Sequence, residues 1–461
     1  MYRGRLDLSN RHQADPITSV NIADEMGASR RRRAIIAGIA GNVMEWYDFA
    51  VYGYFATVIG GNFFPAKDAS APLIAAFGVF AAGFLMRPLG SLVFGHIGDK
   101  LGRKLALTVS VMLMAVPTFL IGVLPTYRQV GLVAPILLVL LRLVQGLSVG
   151  GEYTTSGIFL VEQSASGRRG FRGSFVPLGA TVGVLLGSAV GAVVTTFLDH
   201  ASVNSWGWRL AFLLGLLVGA IGFAIRRQLA DDRLAPGGVP PATTPVRDAL
   251  RTQWRTILRI VGLNAAGAVA YYMCFVYVTT YLRQIDFIAA SKALDINTIA
   301  LLALLVTIVP MGILSDRVGR KPVLLAATGG LFVLALPLFW MLHHTATTVV
   351  LLGQIAFAIL NAAYWGPSTA TMVELVPNRT RCTVLSVGYN LGLGILGGAT
   401  PMAAVYAIRQ SGYDLAPAAL VMATAAISFA VILGLRETSA SSLVGTIESE
   451  RAEFAVAQRR R

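Results

Sequence analysis

Twelve stretches of this chain stay apolar for the length of a membrane crossing, and that repetition decides the class of fold. A helix rising about 1.5 Å per residue needs about 20 residues to cross about 30 Å of hydrocarbon. The stretches are Ala34–Gly60, Ala71–Gly95, Leu105–Leu124, Val130–Gly151, Phe175–Leu198 and Trp208–Ile225, then Ile257–Leu282, Ile296–Leu314, Val323–Leu342, Val349–Leu375, Val384–Ala407 and Leu415–Leu435. Across 461 residues only 13% are charged, and the mean hydropathy is +0.66. Soluble domains carry about 25% charged residues, so this chain has too little charge to clothe a soluble surface. A cytosolic enzyme and a disordered or fibrous protein are excluded on that ground. The expected class is an all-α integral membrane protein.

The net charge of +15 invites a nucleic-acid reading. The Lys and Arg residues nevertheless fall in short clusters between apolar stretches rather than on one arm or face, so no nucleic-acid partner is expected. Their distribution gives orientation instead. Only Lys67, Arg128, Arg283, Lys292 and Arg409 lie in the segments on one side, with Arg209 at that end of the sixth span, and Arg87, Arg142 and Arg259 lie further inside spans. The other 29 of the 38 basic residues share the opposite side. The excess of positive charge marks the cytoplasmic face, so both termini are expected there, in the inner or plasma membrane. Arg30–Arg33 precede an apolar stretch too long for a signal peptide and read as the flank of an uncleaved first span. Cys274 and Cys382 form no CxxC and no metal spacing and read as buried small residues.

The chain repeats itself. Gly95-His-Ile-Gly-Asp-Lys-Leu-Gly-Arg-Lys104 recurs as Gly312-Ile-Leu-Ser-Asp-Arg-Val-Gly-Arg-Lys321, and Glu162, Arg169 and Ser174 recur as Glu374, Arg381 and Ser386. Two repeats in the same order imply a duplicated six-span unit, a design found in transporters. The expected organisation is a tail at 1–33, a six-helix bundle at 34–225, a polar linker at 226–255, a second six-helix bundle at 256–436 and a tail at 437–461. The two bundles should be pseudo-symmetric. Asp99 with Arg103, and Asp316 with Arg320, are expected to form charge clusters that latch the halves on the cytoplasmic side, joined by Glu162, Arg169, Glu374 and Arg381.

Ionisable residues inside spans are the candidate functional groups, since a charge at the bilayer centre costs about 2.5–3.5 kcal/mol. Glu45 and Asp48 share one face of the first span, with Arg87 or Arg142 as structural counter-ions in the bland reading. Arg142, Gln145 and Glu152 share a face of the fourth span. There a fixed cation beside a titratable carboxylate suggests a coupling device: protonation frees the Arg for a substrate carboxylate. Tyr272, Asn361 and Asn390 are cavity candidates in the second half, alongside Asn264, Tyr271, Tyr364, Trp365 and Tyr389. An aromatic cluster would suit a quaternary ammonium, but sequence cannot show whether these rings meet. Gly179, Gly183, Gly187 and Gly191 recur every four residues, which permits close helix packing.

The doubled loop, the twelve spans and the central linker resemble the major facilitator superfamily. Gly41-Asn-Val-Met-Glu-Trp-Tyr-Asp-Phe49, Arg87-Pro-Leu-Gly90, Gln145-Gly146, Gly150-Gly-Glu-Tyr-Thr154, Arg168-Arg-Gly-Phe171 and Trp206-Gly-Trp-Arg209 are similar to motifs of its metabolite–proton symporter family. With Ile158-Phe159 and Tyr271-Tyr-Met273, the chain looks most like that family's proline and betaine carriers. Their longer members carry a coiled-coil tail tied to osmosensing. Here only Thr438–Arg461 follow, without sustained heptads, so the resemblance does not extend to that tail and leaves osmosensing open.

The resemblance implies a secondary transporter rather than an enzyme. It would move a small carboxylate-bearing metabolite together with protons by alternating access. The substrate would be a proline- or betaine-like zwitterion or an organic acid such as 2-oxoglutarate, citrate or shikimate. A proton-driven antiporter or exporter of small or cationic compounds is the alternative, although the fifth-span Gly-Pro signature of antiporters is missing. No P-loop and no metal cluster stands out, so no cofactor or metal is expected beyond the proton gradient. A monomer is expected to suffice.

Overall fold

The computed structural model describes residues 36, 39–65, 71–165, 167–227, 245–284, 288 and 290–439. The tails at 1–33 and 440–461, most of the linker, and the side chains of Asp99 and Arg103 lie outside the described residues. Everything with regular structure among the described residues is helical.

Among the described residues ten helices are long and apolar enough to cross a membrane, and the first and last spans complete twelve. We number them α1 (residues 39–63, with a turn at Phe55), α2 (Ala71–Leu85 and Arg87–Leu101), α3 (Arg103–Val123), α4 (Val133–Glu162), α5 (Phe175–Phe197) and α6 (Trp208–Arg227). The second half comprises α7 (Trp254–Tyr272, continuing to Gln284), α8 (Ala290–Val318), α9 (Arg320–Leu342), α10 (Thr347–Glu374), α11 (Arg381–Leu391, continuing to Ser411) and α12 (Pro417–Leu433). These are two six-helix bundles.

Several helices outrun their apolar stretches. The fourth span, expected to end at Gly151, continues to Glu162, and the eighth runs 29 residues as Ala290–Val318. The extra turns of α4 begin with the buried polar residues Glu152, Thr154, Thr155 and Ser156, and Thr154 shares a hydrogen bond with Ser386 of the other half. That polar interruption ends the apolar stretch before the helix ends. Within the expected linker, Pro245–Thr252 is helical and α7 begins at Trp254.

Glycine sets the closest approaches. In α5, Gly183 faces the Val43 carbonyl and Trp46, Gly187 faces Ala50, and Gly191 faces Tyr54. Any Cβ there would push α1 away, so the four-residue glycine stripe seats α1 and the functional groups it carries. Between the halves, a Cβ on Gly98 would lie 2.7 Å from Cys382 Sγ, one on Gly95 2.7 Å from Thr383 Cα, and one on Gly157 2.6 Å from Thr369 Cγ2. In both copies of the loop motif the glycine before the Arg has positive φ: +97° at Gly102 and +101° at Gly319. Only glycine adopts that region without strain, which accounts for its place in the repeat.

Polar contacts lock the two halves at the end that carries the loop motifs. Asp316 accepts from the backbone N–H groups of Gly170 and Phe171 at 2.8 and 2.7 Å and pairs with Arg320 at 2.7 Å. Arg381 pairs with Glu162 at 2.7 Å, and Glu374 with Arg169 and Arg320 at 3.5 and 3.2 Å. Beyond α12, Glu437 accepts from the N–H groups of Arg320 (2.9 Å) and Lys321 (3.0 Å), tying the chain's return to the start of α9. Burial opposes ionisation of Glu437. The backbone N–H groups of Ser439, Arg320 and Lys321 outweigh it and hold the carboxyl below its usual range.

Candidate functional site

α1 carries two carboxylates that go to different partners. Asp48 meets Arg142 of α4 at 2.5 Å and Gln145 Nε2 at 2.8 Å, with Thr118 Oγ1 of α3 also at 2.8 Å. Gln145 Oε1 accepts from the same Arg142 nitrogen at 2.9 Å, and the guanidinium lies over the Tyr52 ring, 3.7 Å from its centroid. The group is fully enclosed: Asp48, Arg142 and Gln145 are at most 2% exposed. A buried pair tied down by hydrogen bonds and a ring face is a rigid unit.

The sequence expectation set Arg142 against Glu152, and the structure corrects it. Ten residues of helix separate them, about 15 Å of axial rise. A shared face is not a shared contact over that distance, and Asp48 takes the guanidinium instead. Glu152 accepts from Ser110 and from Ser156, the latter at 3.1 Å.

Glu45 is held more loosely. One oxygen lies 3.4 Å from Arg87 Nη2, and the other has no hydrogen-bond partner among the described residues, although the residue is 3% exposed. Arg87 is packed between the rings of Phe84 (4.5 Å) and Phe49 (5.2 Å).

Next to this pair is an aromatic cluster to which both halves contribute. Trp46 (α1) and Tyr153 (α4) come from one half, and Tyr271 (α7), Trp365 (α10) and Tyr389 (α11) from the other. All five line one cavity with Thr181, Leu304 and Ile308. Tyr153 and Tyr389 are stacked at 4.5 Å, Trp46 meets Tyr271 at 5.7 Å, and Tyr271 meets Trp365 at 6.4 Å, the last two edge to face. π-Helical turns follow directly in both second-half helices, at Met273–Tyr277 in α7 and Gly392–Gly397 in α11. Such turns cluster at functional sites.

The other candidates divide. Tyr272 packs on Gly397 at the π-turn of α11. Asn390 donates to the Gly150 carbonyl at 2.6 Å and so bridges the halves rather than lining the cavity. Asn361 donates to the Phe357 carbonyl of its own helix at 3.0 Å and leaves its Oδ1 unpaired. The sequence pattern does not mark Trp46 and Tyr153 as cavity residues. Their places beside Glu45 and Glu152 are the available signal. Among the described residues no group of His, Cys, Asp and Glu could hold a metal.

Residues 33–230 match the family model described as "Sugar (and other) transporter", and residues 285–460 match that described as "Major Facilitator Superfamily". The chain is 34% identical to the glycine betaine/proline/ectoine/pipecolic acid transporter OusA of Dickeya dadantii and 34% identical to the proline/betaine transporter of Escherichia coli. Each match covers 94% of this chain and 89% of the relative. A putative proline/betaine transporter of Staphylococcus aureus is 35% identical, over 95% of this chain and 96% of its own. In structure the chain resembles the proton:xylose symporter XylE bound to 6-bromo-6-deoxy-D-glucose. The TM-score is 0.78 at 16% identity, covering 92% of this chain and 99% of the other.

Proposed function

The chain belongs to the major facilitator superfamily, and from that premise we propose that it is a secondary transporter of a small betaine- or proline-like zwitterion, driven by protons. The observation that carries the reading is the five-ring cluster shared by the two halves. Ring faces attract a desolvated ammonium, worth up to about 2 kcal/mol per contact. A site split between the halves is also remade whenever they rock, as alternating access requires. Relatives named for proline and betaine support the same substrate class.

An organic di- or tricarboxylate would need spare positive charge. Arg87 and Arg142, the basic residues buried near the cavity, already have carboxylate partners, which favours a net-neutral substrate. The basic excess supports a cytoplasmic location for the loop-motif end and both termini. In that orientation the present state is closed toward the cytoplasm.

Glu45 suits the proton-carrying role best. Its single contact with Arg87 and its second oxygen, unpaired among the described residues, leave it the less firmly tied of the two α1 carboxylates, whereas Asp48 is braced from three sides. The gradient, rather than a bound cofactor or an enzymatic step, supplies the energy, and one chain holds a complete site.

The test is radiolabelled uptake into membrane vesicles under an imposed pH gradient. Glycine betaine or proline should accumulate and leak out when a protonophore collapses the gradient. Accumulation of citrate, 2-oxoglutarate or shikimate with no uptake of zwitterions would overturn the reading.

A further inference from the structure

The first two turns of α7 present a two-sided face outward. Trp254, Arg255, Leu258 and Arg259 are all exposed, Trp254 at 51% and Leu258 at 58%. On the opposite side Ile257 and Ile260 are buried, and Ile260 packs on Gly388 of α11. At about 100° per residue the four exposed side chains fall on one arc, the apolar pair along one edge and the arginines along the other. The Arg255 guanidinium lies 5.3 Å from the centroid of the Trp254 ring. Just before this turn, Arg247 and Arg251 are exposed on the linker helix Pro245–Thr252. None of these four arginines is in an ion pair among the described residues.

Arg259 lies about 7.5 Å of helix rise inside a membrane-crossing segment that begins at Trp254. An outward-facing guanidinium at that depth is costly unless it reaches an anion, and its long stem lets it snorkel toward the headgroups. Arg255 is one turn nearer the helix end, so the two guanidinium groups are i, i+4 neighbours. Such forks hold phosphate oxygens in paired hydrogen bonds. We propose that this face is a docking site for an acidic phospholipid of the leaflet on the loop-motif side. Its phosphate sits between Arg255 and Arg259, and its upper acyl segment lies against Trp254 and Leu258. A choline or ethanolamine headgroup would bring its own cation toward Arg251 and Arg247, whereas a glycerol headgroup adds no positive charge. The linker helix packs against both α2 and α11, so the lipid sits at a seam shared by the two halves. The site does not depend on which solute is carried.

The experiment measures association of spin-labelled phosphatidylglycerol and spin-labelled phosphatidylcholine with the full-length protein in phosphatidylcholine nanodiscs, by electron paramagnetic resonance. Wild type should hold the acidic lipid clearly more tightly. Arg255→Gln combined with Arg259→Gln should weaken phosphatidylglycerol about 25-fold, about fivefold per arginine, and phosphatidylcholine about twofold or less. The control pair Arg317→Gln with Arg436→Gln removes two other exposed charges at the same end of the molecule. It should leave the preference within about twofold of wild type. Equal association of the two lipids with wild type overturns the site. So do equal losses in the two double variants, which would reduce the preference to the diffuse charge of this face. Millimolar inorganic phosphate at matched ionic strength should not displace the lipid. Displacement would assign the arginines to a soluble anion and overturn the lipid assignment.

Discussion

Tyr153 of α4 and Tyr389 of α11 stack across the boundary between the two halves, with ring centroids 4.5 Å apart and planes 8° from parallel. Both rings also border the cavity, so the contact that joins the halves belongs to the proposed binding surface. Closing the boundary and shaping the site are one event.

Removing one of these rings should therefore cost substrate affinity. Tyr389→Ala is expected to raise the half-saturating glycine betaine concentration roughly 5- to 30-fold, the worth of one well-desolvated cation–π contact. Tyr389→Phe, which keeps the face, should stay near wild type. Uptake kinetics in vesicles check both.

Glu45→Gln removes the carboxylate assigned to the proton. Uptake driven by a pH gradient should fall to simple equilibration, while tracer exchange at equal substrate concentrations on both sides continues. A variant that still accumulates substrate uphill would remove Glu45 from coupling.

Arg142→Ala would strand the Asp48 carboxylate in a site where Asp48 has no exposure. Breaking a buried pair costs about 3–5 kcal/mol, so the thermal midpoint in detergent should drop sharply. Asp48→Asn combined with Arg142→Gln should recover much of that loss, because neither partner is then charged.

Asp316 binds two backbone N–H groups of the opposite half. Asp316→Asn weakens hydrogen bonds worth about 1.5–3 kcal/mol each to a charged acceptor, and this end of the molecule should open more often. The thiol of Cys382, buried against Gly98, reports on that opening. Its maleimide labelling in a Cys274→Ser background should accelerate roughly tenfold on the same estimate.

Glu437 gives a pH signature outside the membrane. Its folded pKa is depressed, so its stabilisation is complete above its unfolded pKa and is lost as pH falls through the lower folded value. The stability difference between wild type and Glu437→Gln should thus hold at neutral pH and vanish under strongly acidic conditions. Thermal midpoints measured across pH will show it.

Local features were legible in the sequence. Twelve spans follow from hydropathy, the twofold design from the repeated loop, and the buried ionisable residues from their positions inside spans, because each depends on neighbours along the chain. The glycine stripe of α5 could be read as a packing surface for the same reason. Partners could not. Helical period placed Arg142 and Glu152 on one face, yet the guanidinium meets Asp48 of α1 because glycine lets α5 draw that helix in and helix rotation sets which groups face each other. The meeting of Trp46, Tyr153, Tyr271, Trp365 and Tyr389 depends on five helices from two bundles. Such a site is a sum of rotations and separations between elements far apart in the chain, and only the packed structure contains them.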